Sequence, residues 1–226
     1  MHNFFNRLVI FVIAISFSSC YTLTLHQTGK TVGKGNLTVQ LTGGLAGLPQ
    51  LEQDDNNYKI EGFYGPAIQV YQGISNKFDL GLNIGINKFG GAFKYQWIGD
   101  QDSKAAISSG ANLFIGLKDW SSIFDGESIV GIEVPLFISY HFNENFAVFS
   151  HPTLSYYEVK DELNLFEDPF HETGFYKGLV TGIQIGPLEN KNGNKRFFPT
   201  LEISWSAPLY DNKYYLSTTF GIGYKF

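Results

Sequence analysis

The sequence predicts an all-β protein, an antiparallel up-and-down transmembrane β-barrel of about ten strands, with roughly eight to twelve compatible with the pattern. Apolar and polar residues alternate along most of the chain, and the links between the alternating segments are short and long in turn. Charged residues and aromatic residues each make up 16% of the chain, and 25 residues are glycine. Because a soluble domain usually has about 25% charged residues, this composition favours a barrel that exposes its apolar face to lipid.

The alternation is clearest in KFDLGLNIGIN, residues 77–87. Every second residue from Phe78 to Ile86 is apolar, and the residues between them are polar or glycine. Side chains along a strand point to opposite faces with a period of two, so this segment is a strand with one apolar and one polar face. The pattern recurs in GIEVPLFISYHF, FFPTLEISW and the C-terminal LSTTFGIGYKF, and more weakly in several other segments.

The links between these strands alternate in length. SNK, residues 75–77, and NEN, residues 143–145, are short, whereas the links near residues 46–62, 117–127 and 158–174 are long. Outer-membrane barrels have short periplasmic turns and longer outer loops, so an even number of strands places both chain ends on the periplasmic side. Two links depart from the alternation: a short one near residues 88–91 and a long one, PLENKNGNKR, at residues 187–196.

Hairpin register can be predicted from the same period of two. If SNK is a turn, Val70 lies opposite Leu82 on the apolar face and Tyr71 lies opposite Gly81 on the polar face. The parity predicts one aromatic rim at the periplasmic end, made of Phe78, Trp97, Phe142, Phe146, Phe197, Tyr224 and Phe226, and aromatic residues near the outer rim, Phe175 and Trp205.

Four prolines fall in or at the predicted strands, although proline cannot donate a hydrogen bond to its neighbour strand. Pro66 and Pro199 fit the starts of strands. Pro135 and Pro152 lie near each other across the NEN hairpin, where a shared bulge would shift the facing residues by one.

The N-terminal MHNFFNRLVIFVIAISFSSC has the layout of a secretory signal: Arg7, an apolar run of about ten residues, and small residues before Cys20. This run is too short for a transmembrane helix, which needs about 20 residues. The ending FSSC resembles the lipobox of bacterial lipoproteins, which implies a lipid on Cys20. We therefore predict a lipoprotein signal peptide at residues 1–19, a lipidated N-terminal linker at 20–35, and the barrel at 36–226. The alternative is a signal peptide that contains a cysteine and is cut elsewhere.

Several kinds of site are excluded by composition. Cys20 is the single cysteine, so neither an internal disulfide nor a cysteine metal cluster can form. The net charge is −5 and no dense basic cluster occurs, which argues against a nucleic-acid partner. The acidic residues 158–172 lack the fixed spacing of a calcium loop. We predict no metal site and no cofactor.

The polar face of the strands is expected to fill the lumen. Its candidate residues are Asp79, Asn83, Lys94, Glu133 and Glu202, together with Asn87, Gln96 and Lys225. Opposed charges, Lys94 with Glu133 or Glu202, would neutralise one another in a barrel too narrow for an open pore.

Two other functions remain open at this stage. An acyl hydrolase or transferase acting on lipid would need a serine activated by a histidine and oriented by an acid. The available residues are Ser139, His141, Ser155, His151 and Glu133. A lipid-anchored soluble barrel that binds a small apolar ligand would instead turn its apolar face inward, and periodicity alone does not say which face is inside.

The C-terminal LSTTFGIGYKF resembles the last strand of small bacterial outer-membrane β-barrel proteins, of the OmpA and OmpW type. In these proteins the barrel assembly machinery reads alternating apolar residues and a final phenylalanine, here Phe220, Ile222, Tyr224 and Phe226. The resemblance implies the outer membrane of a Gram-negative bacterium with the N-terminus on the periplasmic side. It also implies outer-membrane lipid and the assembly machinery as partners, and a structural, adhesion or small-solute-binding role without catalysis.

Overall fold

The computed structural model describes residues 26–48, 59–85, 88–117, 127–143, 145–161, 171–186, 196–209 and 215–226. Within these ranges ten antiparallel strands form one closed barrel, in which each strand pairs with its neighbours in sequence and the last pairs with the first. The predicted all-β up-and-down barrel is therefore confirmed. The same residues include no helix of the length and apolar character needed to cross a bilayer.

The strands are β1 (Leu37–Leu48), β2 (Lys59–Gly73), β3 (Phe78–Gly85), β4 (Lys88–Ile98), β5 (Ala105–Leu117), β6 (Glu127–Asn143), β7 (Phe146–Asp161), β8 (His171–Ile185), β9 (Arg196–Pro208) and β10 (Tyr215–Lys225). We call the end where residues 74–77, 99–104 and 144–145 join strands the turn end. Both Leu37 and Lys225 lie there, and we call the opposite end the loop end. One predicted link was misplaced, because residues 88–91 belong to β4 and the β3–β4 link is residues 86–87.

β1 and β10 close the barrel. Leu41 lies opposite Ile222, and the backbone amide of Phe226 donates a 2.8 Å hydrogen bond to the carbonyl of Leu37. The predicted register of the β2–β3 hairpin is confirmed, since Val70 faces Leu82. This closure leaves no free sheet edge among the described strands.

The ladder between β6 and β7 passes Pro135 and Pro152 without a change of register. Val134 lies opposite Leu154 on one side of the prolines and Ile138 lies opposite Ser150 on the other, so each step along one strand matches one step along the other. The bulge considered at this position is absent. Because the proline rings remove backbone donors without adding a residue, the faces of both strands keep their parity.

The two faces of the sheet differ sharply in polarity. Large apolar side chains are exposed on the outer face of the barrel, among them Leu41, Leu80, Leu82, Ile84, Phe93, Leu113, Leu154, Leu201, Ile203 and Ile222. Charged, amide and hydroxyl side chains are buried on the inner face. The apolar face therefore lies outside and the polar face lies inside.

Aromatic side chains share the lumen with these polar groups. Tyr71, Phe114, Phe137, Phe149 and Tyr157 are buried there. Several inner aromatic rings lie directly against a glycine of the neighbouring strand, in the pairs Tyr71 with Gly81, Phe114 with Gly131, Phe149 with Gly182 and Phe198 with Gly223. A Cβ on those glycines would collide with the ring. The inner glycines thus make room for aromatic rings, and the lumen is packed with side chains.

Candidate functional site

The N-terminal segment, residues 26–36, lies inside the barrel at the turn end. Its first residues are buried against strands on several sides of the lumen, and its last residues reach the rim beside Gly73. Residues 26–35 belong to the predicted N-terminal linker, and they occupy the turn-end half of the lumen.

One side of the segment is held by a charged pair on β3 and β4. Asp79 and Lys94 face each other in register, with Lys94 Nζ 3.5 Å from Asp79 Oδ2. The amide of Val32 donates to both carboxylate oxygens of Asp79, at 3.1 and 2.9 Å. Lys94 donates to the side chain of Gln27 at 3.0 Å and to the carbonyl of Lys30 at 2.6 Å. The two opposite charges thus bind an amide and a carbonyl of the same segment.

The middle of the segment is held by neutral side chains of β4, β5 and β6. The amide of Thr31 donates to Gln96 Oε1 at 2.9 Å. The amide of Gly29 donates to Ser139 Oγ at 2.9 Å, and the hydroxyl of Ser108 donates to the carbonyl of Gly29. These contacts use the backbone of the segment and pair polar groups that burial would otherwise leave unsatisfied.

His26 forms the innermost described contact, against β9. Gln40 Nε2 donates to Thr200 Oγ1 at 3.0 Å, so the Thr200 hydroxyl can donate to His26 Nδ1 at 2.8 Å. Nε2 of the same ring lies 3.5 Å from a carboxylate oxygen of Glu202.

No protein-family model matches the chain, and no curated protein sequence matches it. The barrel does resemble solved structures of small outer-membrane barrels.

Three of these structures illustrate the likeness. The attachment invasion locus protein Ail of Yersinia pestis is 11% identical with a TM-score of 0.39, and the match covers 85% of this chain and 99% of Ail. Neisserial surface protein A is 11% identical with a TM-score of 0.38, covering 85% and 100%. The N-terminal β-barrel domain of Pseudomonas aeruginosa OprF is 11% identical with a TM-score of 0.36, covering 86% and 99%. The likeness is one of barrel architecture.

The structure brings some of the predicted lumen residues together and separates others. Asp79, Lys94, Glu133 and Glu202 are buried inside the barrel, and Asn83 is half-buried on the same face. The predicted pairing of Lys94 with Glu133 or Glu202 is wrong, because Lys94 pairs with its cross-strand neighbour Asp79. Cys20 and Asn87 lie outside the described residues.

Glu133 belongs to a second polar cluster, nearer the loop end. Lys88 Nζ lies 3.1 Å from Glu133 Oε1 and 4.0 Å from the centre of the Phe114 ring. Asn112 Nδ2 donates to the other carboxylate oxygen of Glu133 at 3.0 Å. Lys88 therefore neutralises the carboxylate, and the cluster packs against the buried ring of Phe114.

The serine and histidine considered for catalysis are close together. Ser139 Oγ and His141 Nε2 are 3.2 Å apart. The amide of Gly29 donates a hydrogen bond to the serine hydroxyl, and both side chains are buried. Glu133 lies eight residues from His141 on the same strand, a distance of roughly 25 Å, and pairs with Lys88. Ser139 and His141 therefore lack both an orienting acid from Glu133 and access for a lipid substrate.

His151 and Ser155, the other serine and histidine considered for catalysis, are also buried in the lumen. His151 is fully buried between Phe149, whose ring stacks on it at 4.9 Å, and Phe137, whose ring meets it edge-on at 4.8 Å. Ser155 is also buried, and its hydroxyl has no hydrogen-bond partner among the described residues. Aromatic rings on two sides leave the His151 imidazole no open approach for a substrate.

Aromatic side chains cluster at the turn end of the outer face. Trp97 is 61% exposed and Phe197 is 64% exposed. Ring contacts link Phe142 with Phe146 at 5.5 Å, and Tyr224 contacts both Phe197 at 4.8 Å and Phe226 at 4.6 Å. Amphipathic and aromatic side chains favour the boundary between membrane and water, so this rim marks a boundary of an apolar belt.

Proposed function

We propose that this protein is an integral outer-membrane barrel of a Gram-negative bacterium with a closed lumen and a structural or surface-binding role. The observation that carries the proposal is the polarity of the two faces. A barrel in water would expose polar residues and bury apolar ones, whereas here the outer face is apolar along the strands and the inner face is polar.

The same observation argues against the soluble ligand-binding barrel. That alternative needs an apolar interior and a polar exterior. The inner face carries Asp79, Lys94, Glu133 and Glu202, and the outer face carries leucine, isoleucine and phenylalanine. An apolar ligand would find charged and amide groups in this lumen.

A closed lumen favours binding or structural support over conduction. Between the two ends, the lumen holds the N-terminal segment, the Asp79–Lys94 pair and a layer of buried aromatic rings. Barrels that conduct polar solutes are wider and keep a water-filled channel. We therefore assign surface recognition to the loop end of the barrel.

The proposal includes a lipid anchor at Cys20, a short distance before the N-terminal segment in the sequence. A lipid there, at the end of the chain that enters the barrel, would add a second attachment to the membrane. In this proposal the turn end faces the periplasm, because outer-membrane barrels place their short turns on that side.

The experiment combines fractionation and conductance. We expect the full-length protein to resist extraction by alkaline carbonate, to sediment with the outer membrane, and to be heat-modifiable after purification in detergent. In planar bilayers it should give no stable steps of ion conductance, and it should leave phospholipid and lipopolysaccharide acyl chains intact. Recovery in water without detergent would refute the membrane assignment, and lasting conductance would refute the closed lumen. Acyl release that His141→Ala abolishes would favour the lipid-modifying enzyme.

A further inference from the structure

The lumen at the turn end binds the N-terminal segment chiefly through the segment's backbone. The amides of Gly29, Thr31 and Val32 donate to side chains of the barrel wall, and the carbonyls of Gly29 and Lys30 accept from them. The wall groups come from β3, β4, β5 and β6. Recognition of consecutive backbone groups by fixed side chains is how proteins bind an extended peptide.

The wall is also shaped to the segment at one residue. A Cβ placed on Gly29 would collide with the backbone carbonyl of Ala106 and lie 3.0 Å from the hydroxyl of Ser139. Backbone atoms of a strand cannot move aside as a flexible side chain can, so this position admits glycine alone.

A second close approach lies where the segment leaves the lumen. A Cβ on Gly73 would collide with the backbone of Gly33, and the amide of Gly35 donates to the carbonyl of Gly73 at 2.8 Å. Gly33 has a φ of +88°, which favours glycine. The chain thus turns into the barrel at a point where segment and wall are in backbone contact.

Without the segment, buried polar groups of the wall would lose hydrogen-bond partners. Asp79 would lose the amide of Val32, and Gln96 would lose the amide of Thr31. Lys94 would lose the carbonyl of Lys30 and the amide oxygen of Gln27. A site that needs these partners and excludes a side chain at one position is built for an occupant of defined shape.

We propose that the turn end of the lumen is a peptide-binding site whose resident ligand is the N-terminal segment. Its ligand class is an extended polypeptide with glycine at the position of Gly29 and a hydroxyl residue at the position of Thr31, which Gln96 binds through both the amide and the side chain. Occupancy closes this end of the barrel. The site is defined by contacts inside the lumen, so this proposal does not depend on which membrane contains the barrel.

The first test measures occupancy in the full-length protein in detergent. Trypsin cleavage after Lys30, followed by mass spectrometry of the fragment that begins at Thr31, reports release of the segment. In the folded wild type we expect this cleavage to be slower than in the heat-unfolded chain by about tenfold or more. Equal rates in the folded and unfolded chains would overturn the proposal.

Matched valine substitutions test the shape of the site. Both variants are made in a Lys34→Gln chain, so that trypsin cuts the segment of residues 26–36 after Lys30 alone. Gly29→Val introduces the colliding Cβ, whereas Asp102→Val changes an exposed side chain on the turn at residues 99–104. We expect cleavage after Lys30 to become about tenfold faster in heat-modifiable Gly29→Val and to stay at the rate of the Lys34→Gln chain in Asp102→Val. If the segment is protected from trypsin equally well with and without Gly29→Val, the close contact between Gly29 and the Ala106 carbonyl does not select the occupant.

The second test supplies the ligand in trans. A fluorescent synthetic peptide with the sequence of residues 26–34, HQTGKTVGK, should bind the folded Gly29→Val barrel and not the wild type, whose own segment occupies the site at high effective concentration. The same peptide with valine at the position of Gly29 should bind at least about tenfold more weakly. Absence of binding to the folded variant, or equal binding of both peptides, would overturn the assignment of a peptide site.

Discussion

The backbone amide of Val32 donates to both carboxylate oxygens of Asp79, at 3.1 and 2.9 Å, and so joins the N-terminal segment to the inner wall of β3. Asp79 is fully buried and has Lys94 as its charged neighbour. A buried carboxylate needs hydrogen bonds as well as a counter-charge to offset the loss of water. The segment supplies those hydrogen bonds, so the charged pair and the segment stabilise each other.

A double-mutant cycle at Asp79 and Lys94 tests the coupling within the charged pair. Asp79→Asn removes one charge and leaves Lys94 buried without its counter-charge, which we expect to lower the free energy of unfolding by about 3–5 kcal/mol. Lys94→Met in the same chain should restore part of that loss. The free energies come from denaturant unfolding of the detergent-folded protein. A double variant whose loss equals the sum of the losses in Asp79→Asn and Lys94→Met would show that the two residues act independently.

Arginine substitutions at two depths on the outer face test whether that face lies in a membrane. Leu82 lies in the middle of β3 and Ile98 ends β4 at the turn end, and both side chains are exposed on the outer face. We expect Leu82→Arg to cost about 2–4 kcal/mol of folding free energy in lipid and Ile98→Arg only about 0–1 kcal/mol, because the cost falls from the midplane to the interface. Equal costs in refolding experiments in lipid vesicles would contradict a membrane belt.

Deletion of Phe226 distinguishes an effect on assembly in the cell from an effect on the stability of the folded barrel. Its amide bonds to Leu37 and its ring contacts Tyr224, while the residue remains 49% exposed. Deleting it should lower the free energy of unfolding by no more than about 1.5–3 kcal/mol. If the assembly machinery reads the terminal aromatic, the same deletion should sharply lower heat-modifiable protein in the outer membrane, and Phe226→Tyr should be tolerated. Normal cellular levels of the deletion would remove the assembly signal from the account.

Lipidation of Cys20 is tested by metabolic labelling. A fatty-acid analogue fed to cells should label the wild type and leave Cys20→Ala unlabelled, because Cys20 is the chain's single cysteine. The variant should still fold, since the described barrel contacts begin at residue 26. Equal labelling of both proteins would exclude a lipid on this cysteine.

The fold could be predicted because a strand has a period of two and a short turn fixes its parity. The SNK turn correctly placed Val70 opposite Leu82 and Tyr71 opposite Gly81. The pairing of Asp79 with Lys94 was missed because the β3–β4 link was placed at residues 88–91. With the link at residues 86–87, the same rule of parity puts these two residues face to face.

The segment inside the lumen could not be predicted in this way. HQTGKTVGKG has no apolar alternation and no helical period, so it lacks the pattern that indicates a packed element. Its contacts are mainly from its backbone to residues on distant strands, and backbone groups are the same in every sequence. The glycine at position 29 is the strongest local signal, and its meaning depends on the carbonyl of Ala106, which is brought near only by the closed barrel.

Adjacent spin labels on β3 test the central claim, a lipid-facing outer side and a filled lumen, most directly. In a Cys20→Ala background, Leu82→Cys and Asn83→Cys would each carry a nitroxide in the refolded barrel in lipid vesicles. We predict frequent collisions with lipid-soluble oxygen at position 82, and few collisions with either oxygen or a water-soluble nickel chelate at position 83. High oxygen accessibility at position 83 instead, or free access of the nickel chelate to position 82, would contradict the central claim.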